Sequence, residues 1–549
     1  MGEHGQGPGR PKGATVDPVV LGAGVAGVLA VVLWGVLARG SLATFAVAAL
    51  GWVLGTFGWL FVVAADTFLV LAVVIAMSRF GRIRLGADDD EPEFTMFAWV
   101  SMMFGTGMGI GLIFYAVAEP IEHYATPPPA TDVTAQTGAA ASIAMQYTLF
   151  HWTLHPWAIY AVTGLALAYS TFRKGRGNTI SAAFRPLLGD RADGPAGKAI
   201  DLLAIFATVF GSATSLGLGA LQVAAGLGIV TGIPNNTWLG LIIIAALTAA
   251  FVISAVSGVH RGVKWLANFN VVLAVLLLLF VFVVGPTIYI LELLPASIGD
   301  YLDRLIVMGT RTGAFSEHAW FGSWTIFYWA WWISWAPFVG TFIARISRGR
   351  TVREFVTGVL LVPSGASVVW FAVLGGSALR AQATGTADLV AKLKEGPEST
   401  LFSLLDALPL SAVTSVITIV LVALYFVTGA DSASLVLGSL SSRGALRPHR
   451  WLVVVWGVLI GAAAAVLLLA GGLDALQQAT ILVALPFVVV MLALAGSLLR
   501  EMASDPMAGG RPRRNRPYGL GAAVRAARSY EDEDTTPHSV RWFFGRRQR

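Results

Sequence analysis

Long apolar stretches separated by short polar segments occupy most of the 549-residue chain. A helix needs roughly 20 apolar residues to cross the hydrocarbon core of a bilayer. The pattern therefore predicts an all-α integral membrane protein with about twelve transmembrane helices. Segment 299–313 is too short and too charged to span, and it is typical of an amphipathic surface helix. The predicted spans lie near residues 19–37, 44–77, 94–118, 138–171, 199–231, 236–257, 264–293, 321–346, 354–379, 410–440, 451–470 and 474–499.

Composition narrows the class further. The chain is 56% hydrophobic and only 12% charged, with a mean hydropathy of +0.72, which a water-soluble chain of this size would not tolerate. It contains no cysteine, so disulfides and thiolate chemistry are excluded. The net charge of +6 does not indicate a nucleic-acid partner, because the basic residues lie in short loops and in a C-terminal tail.

The distribution of positive charge predicts the orientation. With a cytoplasmic N-terminus, the inner loops carry 18 Lys and Arg and the outer loops carry 6. The positive-inside rule then places both termini in the cytoplasm, in a multi-pass protein of the cell membrane. Three parts are expected: a disordered N-terminus (1–16), a membrane domain (17–500) and a basic tail (501–549). The polar 380–409 connection is expected outside the membrane.

A run of glycines at alternating positions interrupts the third predicted span. Gly105, Gly107, Gly109 and Gly111 are poor helix formers, and an unwound stretch at membrane depth must be buried or line a cavity. Close helix packing through small residues is the alternative. The eighth span carries its own predicted interruption at 334–337. Spans 3–7 (about 94–295) and 8–12 (321–500) thus form two sets of five, each beginning with a broken helix, which is the pattern of an inverted-repeat transporter.

Aromatic residues follow one face of the eighth span. Tryptophan normally collects at membrane interfaces, so a stripe of indoles through a span suits the binding of a quaternary ammonium ion by cation–π attraction. Filling of the bundle core is the alternative. The fourth span adds Trp157 and Tyr160 on one face and Trp152 on its flank. The stripe has the spacing i, i+3, i+4, i+7 and consists of Tyr328, Trp331, Trp332 and Trp335.

The fourth span also carries two histidines at i, i+4. His151 and His155 suggest a metal site, but the other histidines form no second cluster and no HExxH motif is present. Packing or hydrogen bonding is therefore the favoured role. The intramembrane acids Asp66, Glu119 and Asp431 could serve a proton route, although their positions near span ends favour capping or loop anchoring.

Four segments together resemble the betaine/choline/carnitine transporter (BCCT) family, and the resemblance covers about residues 15–500. It implies a LeuT-type core of two inverted five-helix repeats with two extra N-terminal helices. It also implies alternating access and a homotrimer. The segments are MFGTGMGIGLIFYAVAEP at 103–120, FHWTLHPWAIY at 150–160, FGSATSLGLGALQ at 210–222, and 324–350.

The resemblance also implies residue roles. Exposed amides around Met108 and Gly109 would receive a substrate carboxylate. Family members that prefer choline tend to carry aspartate at the position of Gly111, so betaine is favoured over choline. The aromatic box would consist of Trp152, Trp157, Tyr160 and Trp332. Trp331 and Trp335 would complete the central site, with Phe327 and Trp329 as gates or liners.

Sodium is the coupling ion that the resemblance implies, with no other metal and no cofactor. Gly429 stands where the family usually has serine, so proton coupling and substrate exchange remain alternatives. One implied ion site uses Gly105, Met108, Tyr425 and Thr428, and a second uses Thr208, Ser212 and Phe338.

These features favour secondary active uptake of a small quaternary ammonium or zwitterionic osmolyte, above all glycine betaine. Choline, carnitine or a related compatible solute is the alternative substrate. A membrane-embedded enzyme is disfavoured because no convergent acid, base or metal ligands occur in the spans. A channel is disfavoured by the paired broken helices. The tail holds ten arginines between 511 and 549 beside Trp542 and Phe543, which suits anionic lipids, although a solvated tail is the alternative.

Overall fold

The computed structural model describes residues 15–107, 109–129, 131–257, 260–314 and 318–509. Predictions for Met108, for most of the N-terminal segment and for the tail beyond Gly509 lie outside the described residues. Within these ranges the regular structure is helical, apart from one β-bridge between Arg84 and Thr351. The helices are α1 Pro18–Leu37, α2 Arg39–Met77, α3 Met96–Gly107, α4 Ile110–Ala125, α5 Gly138–Trp152, α6 Leu154–Ala168, α7 Arg185–Leu188, α8 Pro195–Thr231, α9 Thr237–Ser257, α10 His260–Val284, α11 Thr287–Gly309, α12 His318–Phe321, α13 Phe327–Arg345, α14 Val352–Thr384, α15 Leu389–Glu395, α16 Thr400–Asp406, α17 Ser411–Leu440 and α18 Arg450–Met502.

All twelve predicted spans fall on these helices. Of the described helices, seven are long and apolar enough to cross a membrane, and the bent pair α10–α11 gives an eighth if it counts as one span. The other predicted spans fall below those limits because α3–α4 and α5–α6 are broken and because aromatic rings lower the hydropathy of α13. The 53-residue α18 covers two predicted spans. The all-α, multi-span architecture is confirmed.

The third predicted span is broken, as its glycines indicate. Helix α3 ends at Gly107 and α4 begins at Ile110, with Gly109 in an extended conformation (φ −147°, ψ −179°). A further break separates α5 from α6 at Thr153 (φ −117°, ψ −110°), and the sequence prediction missed it. Pro156 explains this break, because proline has no N–H to bond the carbonyl four residues earlier and its ring clashes with that carbonyl.

The predicted interruption at 334–337 in the eighth span is wrong. Helix α13 continues through Pro337, and the Ser334 hydroxyl donates to the Trp331 carbonyl at 2.7 Å. The irregular turn lies earlier, as a π-helical segment at Gly322–Ile326. The two sets of five spans therefore do not both begin with a broken helix.

The surface helix begins earlier than predicted. Helices α10 and α11 meet at an angle of 110° across Gly285 and Pro286, because proline cannot continue the first helix. The predicted span 264–293 thus ends at Val284, and the surface helix begins at Thr287. The predicted amphipathic character agrees with the burial of Tyr301 and the exposure of the charged side chains of Asp303 and Arg304.

Helix α18 contains the two predicted C-terminal spans, which meet at a kink. Gly471 and Gly472 depart from helical geometry, and Gly472 has a φ of +62°. L-residues with side chains rarely adopt that region, so glycine is required there. The predicted division between 451–470 and 474–499 is confirmed.

The end of α18 is fastened to the end of α6 by an ionic cluster. Asp505 is fully buried and accepts hydrogen bonds from the Arg173 guanidinium at 3.0 Å and the Tyr169 hydroxyl at 2.6 Å, while Arg176 pairs with Glu501. Burial works against the charged carboxyl, but these donors hold the pKa of Asp505 below its ordinary value. The Asp505–Arg173 pair therefore stabilises the fold at pH values above the pKa that Asp505 has in the unfolded chain. This contribution is lost as the pH falls through the lowered pKa of the folded state. The ordered chain continues beyond the predicted domain end at 500.

Candidate functional site

An aromatic cavity lies where the break between α3 and α4 faces α6 and α13. Its volume is about 30 Å³. The break supplies backbone to one side of the cavity, and indole and phenol rings supply most of the rest. The lining residues are Gly109, Gly111, Leu112, Trp152, Pro156, Trp157, Tyr160, Trp331, Trp332, Trp335, Val339 and Ser367.

The rings of the aromatic cavity meet in two geometries. Trp331 and Trp332 stack with their centroids 5.0 Å apart and their planes 10° apart. Trp152 stands edge-on to Trp332 at 5.0 Å, and Tyr160 stands edge-on to it at 6.3 Å. Trp157 in turn lies edge-on to Tyr160 at 5.5 Å. Ring faces carry negative electrostatic potential, so converging rings can hold a cation that has lost its water.

Hydrogen bonds from the indole N–H groups fix three of these rings. Trp332 Nε1 donates to the His151 carbonyl at 3.0 Å, and Trp331 Nε1 donates to Ser215 Oγ at 3.2 Å. Trp152 Nε1 donates to Glu119 at 2.6 Å. The rings are therefore held in place before any ligand enters, which reduces the entropy lost on binding.

Two predicted liners lie outside the aromatic cavity. Phe327 is buried behind Trp331 and stacks on it at 5.4 Å. Trp329 is buried on another face of α13 and stacks on His155 at 5.1 Å. Residues four apart on a helix share a face, so Phe327 lies next to Trp331. Residues two apart lie on different faces, so Trp329 lies on another side of the helix from Trp331. Both residues were predicted to be gates or liners of the site, and neither lines the cavity.

Gly111 sits where the aromatic rings approach the broken helix most closely. A Cβ atom there would lie 2.4 Å from Trp331 Cη2 and 3.1 Å from Trp152 Cη2. Any side chain at this position therefore requires Trp331 to move. An aspartate at this position would meet the same crowding.

A second cavity, here called the polar vestibule, adjoins the aromatic cavity. Its volume is about 420 Å³, and both cavities share Gly109 and Trp335 in their walls. The remaining lining comes from α3, the first residue of α4, α8, α10, α13 and α17. Four predicted ion-site residues, together with the departure at Gly429, lie on its wall: Ser212, Phe338, Tyr425, Thr428 and Gly429.

The two predicted ion sets also include Thr208, Gly105 and Met108. Thr208 is buried in α8 outside the vestibule wall, and its hydroxyl donates to the Ala204 carbonyl at 2.8 Å. Gly105 lies in the last turn of α3, where helix carbonyls lack intrahelical partners. Met108 lies outside the described residues. Among the described side chains, Ser212 and Phe338 of one predicted set and Tyr425 and Thr428 of the other thus lie on the vestibule wall, whereas Thr208 does not.

Sequence reasoning missed a buried polar cluster behind the aromatic cavity. The sequence analysis favoured capping or loop anchoring for Glu119, and the structure gives it a different place. The residue is fully buried, and its carboxylate lies 2.7 Å from His151 Nδ1 and 2.5 Å from the Tyr328 hydroxyl. Ligand atoms of Glu119, His123 and His151 lie within 4.8 Å of one another, although N–H and O–H donors already occupy both carboxylate oxygens. The Glu119–His123 spacing of i, i+4 within an apolar stretch was the available sequence signal.

His155 contacts a different acid from its neighbour on the next turn. Its Nε2 lies 2.8 Å from the Asp66 carboxylate, on α2. His151 and His155 therefore do not converge on one ligand, and the hydrogen-bonding role favoured from the sequence agrees with these contacts. Asp66 holds a helix contact rather than capping a span end.

A broken helix that borders a buried cavity, in an all-α protein with many spans, is typical of a secondary transporter. Residues 19–507 match the sequence pattern of BCCT, the betaine/carnitine/choline family transporter. The chain belongs to this family, and it is therefore a multi-pass membrane transporter and not an enzyme.

Three relatives support this assignment. The chain is 46% identical over 478 residues to the glycine betaine transporter OpuD of Bacillus subtilis, covering 87% of this chain and 92% of that one. It is 42% identical to the betaine/ectoine transporter LcoP of Corynebacterium glutamicum, covering 90% and 79%. It is 41% identical to an ectoine/hydroxyectoine transporter of Virgibacillus pantothenticus, covering 81% and 89%.

Proposed function

We propose that this protein takes up a betaine-type solute, above all glycine betaine, by secondary active transport with alternating access. The observation that carries the proposal is the ring geometry of the aromatic cavity. Stacked Trp331 and Trp332 and edge-on Trp152 and Tyr160 offer converging negative potential to a trimethylammonium group. Relatives named as betaine transporters favour the same substrate class.

The broken helix suits the other end of a zwitterion. Helix α4 begins at Ile110, beside the extended Gly109 in the cavity wall. The first amides of a helix lack intrahelical acceptors and carry partial positive charge, so they favour a carboxylate. A solute with both charges would match the cavity at each end. Choline lacks the carboxylate, and this supports betaine over choline.

The polar vestibule gives the substrate a route to one side of the membrane. Its walls belong to the parts of α3, α10, α13 and α17 that adjoin the loops rich in Lys and Arg. Under the positive-inside rule this is the cytoplasmic side, so we infer that the vestibule is the release path and that Trp335 separates it from the aromatic cavity. We further propose that both termini are cytoplasmic and that the protein forms a homotrimer in the cell membrane. The basic tail would contact anionic lipids.

The proposal is tested by uptake into proteoliposomes. Purified protein in vesicles would be given radiolabelled glycine betaine, with sodium and pH gradients imposed separately. Uptake driven by an inward sodium gradient and reduced by unlabelled betaine is expected. Absence of betaine uptake under every gradient would refute the proposed substrate.

Sodium coupling is expected to depend on hydroxyls in the vestibule. Thr428 Oγ1 donates to the Leu424 carbonyl at 2.9 Å, which leaves its lone pairs available, and a Cβ at Gly429 would meet nothing within 4 Å. Gly429→Ser should therefore add an oxygen ligand and lower the sodium concentration for half-maximal uptake. Thr428→Ala should raise that concentration by roughly fivefold, because a polar contact to a charged group contributes more than about 1 kcal/mol.

Thr418→Ala is the matched control. Thr418 lies on the same helix with the same hydroxyl-to-backbone hydrogen bond, at 2.8 Å, outside the vestibule wall. Its sodium dependence should equal that of the unaltered protein. Uptake that is independent of sodium in all variants and is driven by an imposed pH gradient would favour proton coupling instead.

A further inference from the structure

The carboxylate of Glu119 is buried directly behind the aromatic cavity. It is fully inaccessible on α4 and carries three hydrogen-bond donors: His151 Nδ1 at 2.7 Å on one oxygen, and Trp152 Nε1 at 2.6 Å and the Tyr328 hydroxyl at 2.5 Å on the other. An indole N–H can only donate. The Thr325 hydroxyl, 3.0 Å from His151 Nε2, can donate to that nitrogen and leave Nδ1 as the donor to Glu119. This set of donors matches an ionised carboxylate.

The same cluster holds two rings of the aromatic cavity. Trp152 lines the cavity and bonds the carboxylate through its N–H, and Trp332 bonds the His151 carbonyl at 3.0 Å. A negative charge at the indole N–H pushes electron density towards the ring and makes its face more negative. Through-space attraction acts in the same direction, since the low polarity of the surroundings weakens screening. Both effects strengthen the attraction between the cavity and a cation.

At Gly111 the cavity wall has no room for this charge. A Cβ there would lie 2.4 Å from Trp331 Cη2, so a carboxylate at that position would have to displace the ring. Glu119 places a carboxylate one layer behind the wall, where its donors satisfy it and it cannot obstruct the solute. Charged groups buried in membrane proteins are rare and are usually functional.

We propose that Glu119 is a positioning residue that supplies the fixed negative charge for the cationic head of the solute, acting through the indole of Trp152. The proposal rests on the proposed function, because it requires a quaternary ammonium ligand in the aromatic cavity. It assigns the preference for a cationic head over an uncharged head of the same shape to a residue that does not touch the ligand.

Glu119→Gln separates charge from shape. The glutamine carbonyl can accept from Trp152 and Tyr328, and its amide can donate to His151 Nδ1 once the imidazole adopts its other tautomer. The readout is inhibition of labelled betaine uptake by two competitors: unlabelled betaine, and 3,3-dimethylbutanoate, in which carbon replaces the ammonium nitrogen. The variant should weaken betaine inhibition roughly tenfold, within the range of cation–π attraction at desolvated sites, and leave inhibition by the uncharged-head analogue unchanged.

Two further variants distinguish charge from structural support. Tyr328→Phe removes one donor but keeps the carboxylate, so it should shift betaine inhibition less than Glu119→Gln does. Trp152→Phe keeps a ring but removes the N–H, so it should reduce the preference for betaine over the analogue, and it tests the proposal if Glu119→Gln does not insert.

The outcomes separate this proposal from the proposed function. Equal weakening of both competitors by Glu119→Gln would indicate structural support only and would overturn the proposal, as would betaine inhibition unchanged from the unaltered protein. In either case betaine uptake by the unaltered protein would leave the proposed function standing. Failure of the unaltered protein to take up betaine would remove both.

Discussion

Trp332→Leu is expected to raise the betaine concentration for half-maximal uptake by about tenfold or more, because a desolvated cation–π contact is worth roughly 2 kcal/mol. Trp332 lies at the centre of the ring cluster, stacked on Trp331 at 5.0 Å and met edge-on by Trp152. Leucine keeps an apolar surface but removes the ring face. Initial uptake rates over a range of betaine concentrations would measure the change.

Trp456→Leu is the control for loss of a buried indole as such. Trp456 is fully buried, and its N–H donates to Ser441 Oγ at 3.0 Å, but it does not line the aromatic cavity. That variant should lose thermal stability while keeping the betaine concentration dependence of the unaltered protein. Trp332→Phe, which retains a ring, should fall between the two. Unchanged betaine dependence in Trp332→Leu would contradict the role of the ring cluster.

Gly111→Ala is expected to raise the same half-maximal concentration by about tenfold or to abolish uptake, because overpacking a rigid core costs about 1–3 kcal/mol. The added methyl carbon would lie 2.4 Å from Trp331 Cη2. Trp331 cannot yield easily, since it stacks on Trp332 and on Phe327. Uptake kinetics, together with the thermal stability of the purified protein, would show whether the defect is confined to the site.

Gly55→Ala provides the matched control, since a Cβ there would meet nothing within 4 Å. Its uptake should match that of the unaltered protein. Gly111→Asp shares the clash of the alanine variant, so it should lower betaine uptake as well. Normal betaine uptake by Gly111→Ala would show that the rings adjust more readily than their packing indicates.

Features that depend on local pattern were predictable from the sequence. Apolar length locates the spans, alternating glycines locate the break before Ile110, and the 3.6-residue period brings Trp331, Trp332 and Trp335 to one cavity. The division between the last two spans at Gly471 and Gly472 is also a local feature, because glycine tolerates the positive φ that this kink requires.

Features that depend on distant partners were not predictable. The sequence does not indicate that Glu119 meets Trp152 and Tyr328, which come from three separate helices. Proline had opposite effects in two spans: α13 stays helical through Pro337, whereas the chain breaks before Pro156. Packing decides between these outcomes, and a single sequence carries no record of that packing.

The most direct test of the central claim is a structure of the protein determined with glycine betaine bound. The account predicts density for the trimethylammonium group among Trp152, Trp157, Tyr160 and Trp332, with the carboxylate directed towards the amides at Gly109 and Ile110. Betaine bound only in the polar vestibule or at another site, with the aromatic cavity filled by its own side chains, would contradict the account.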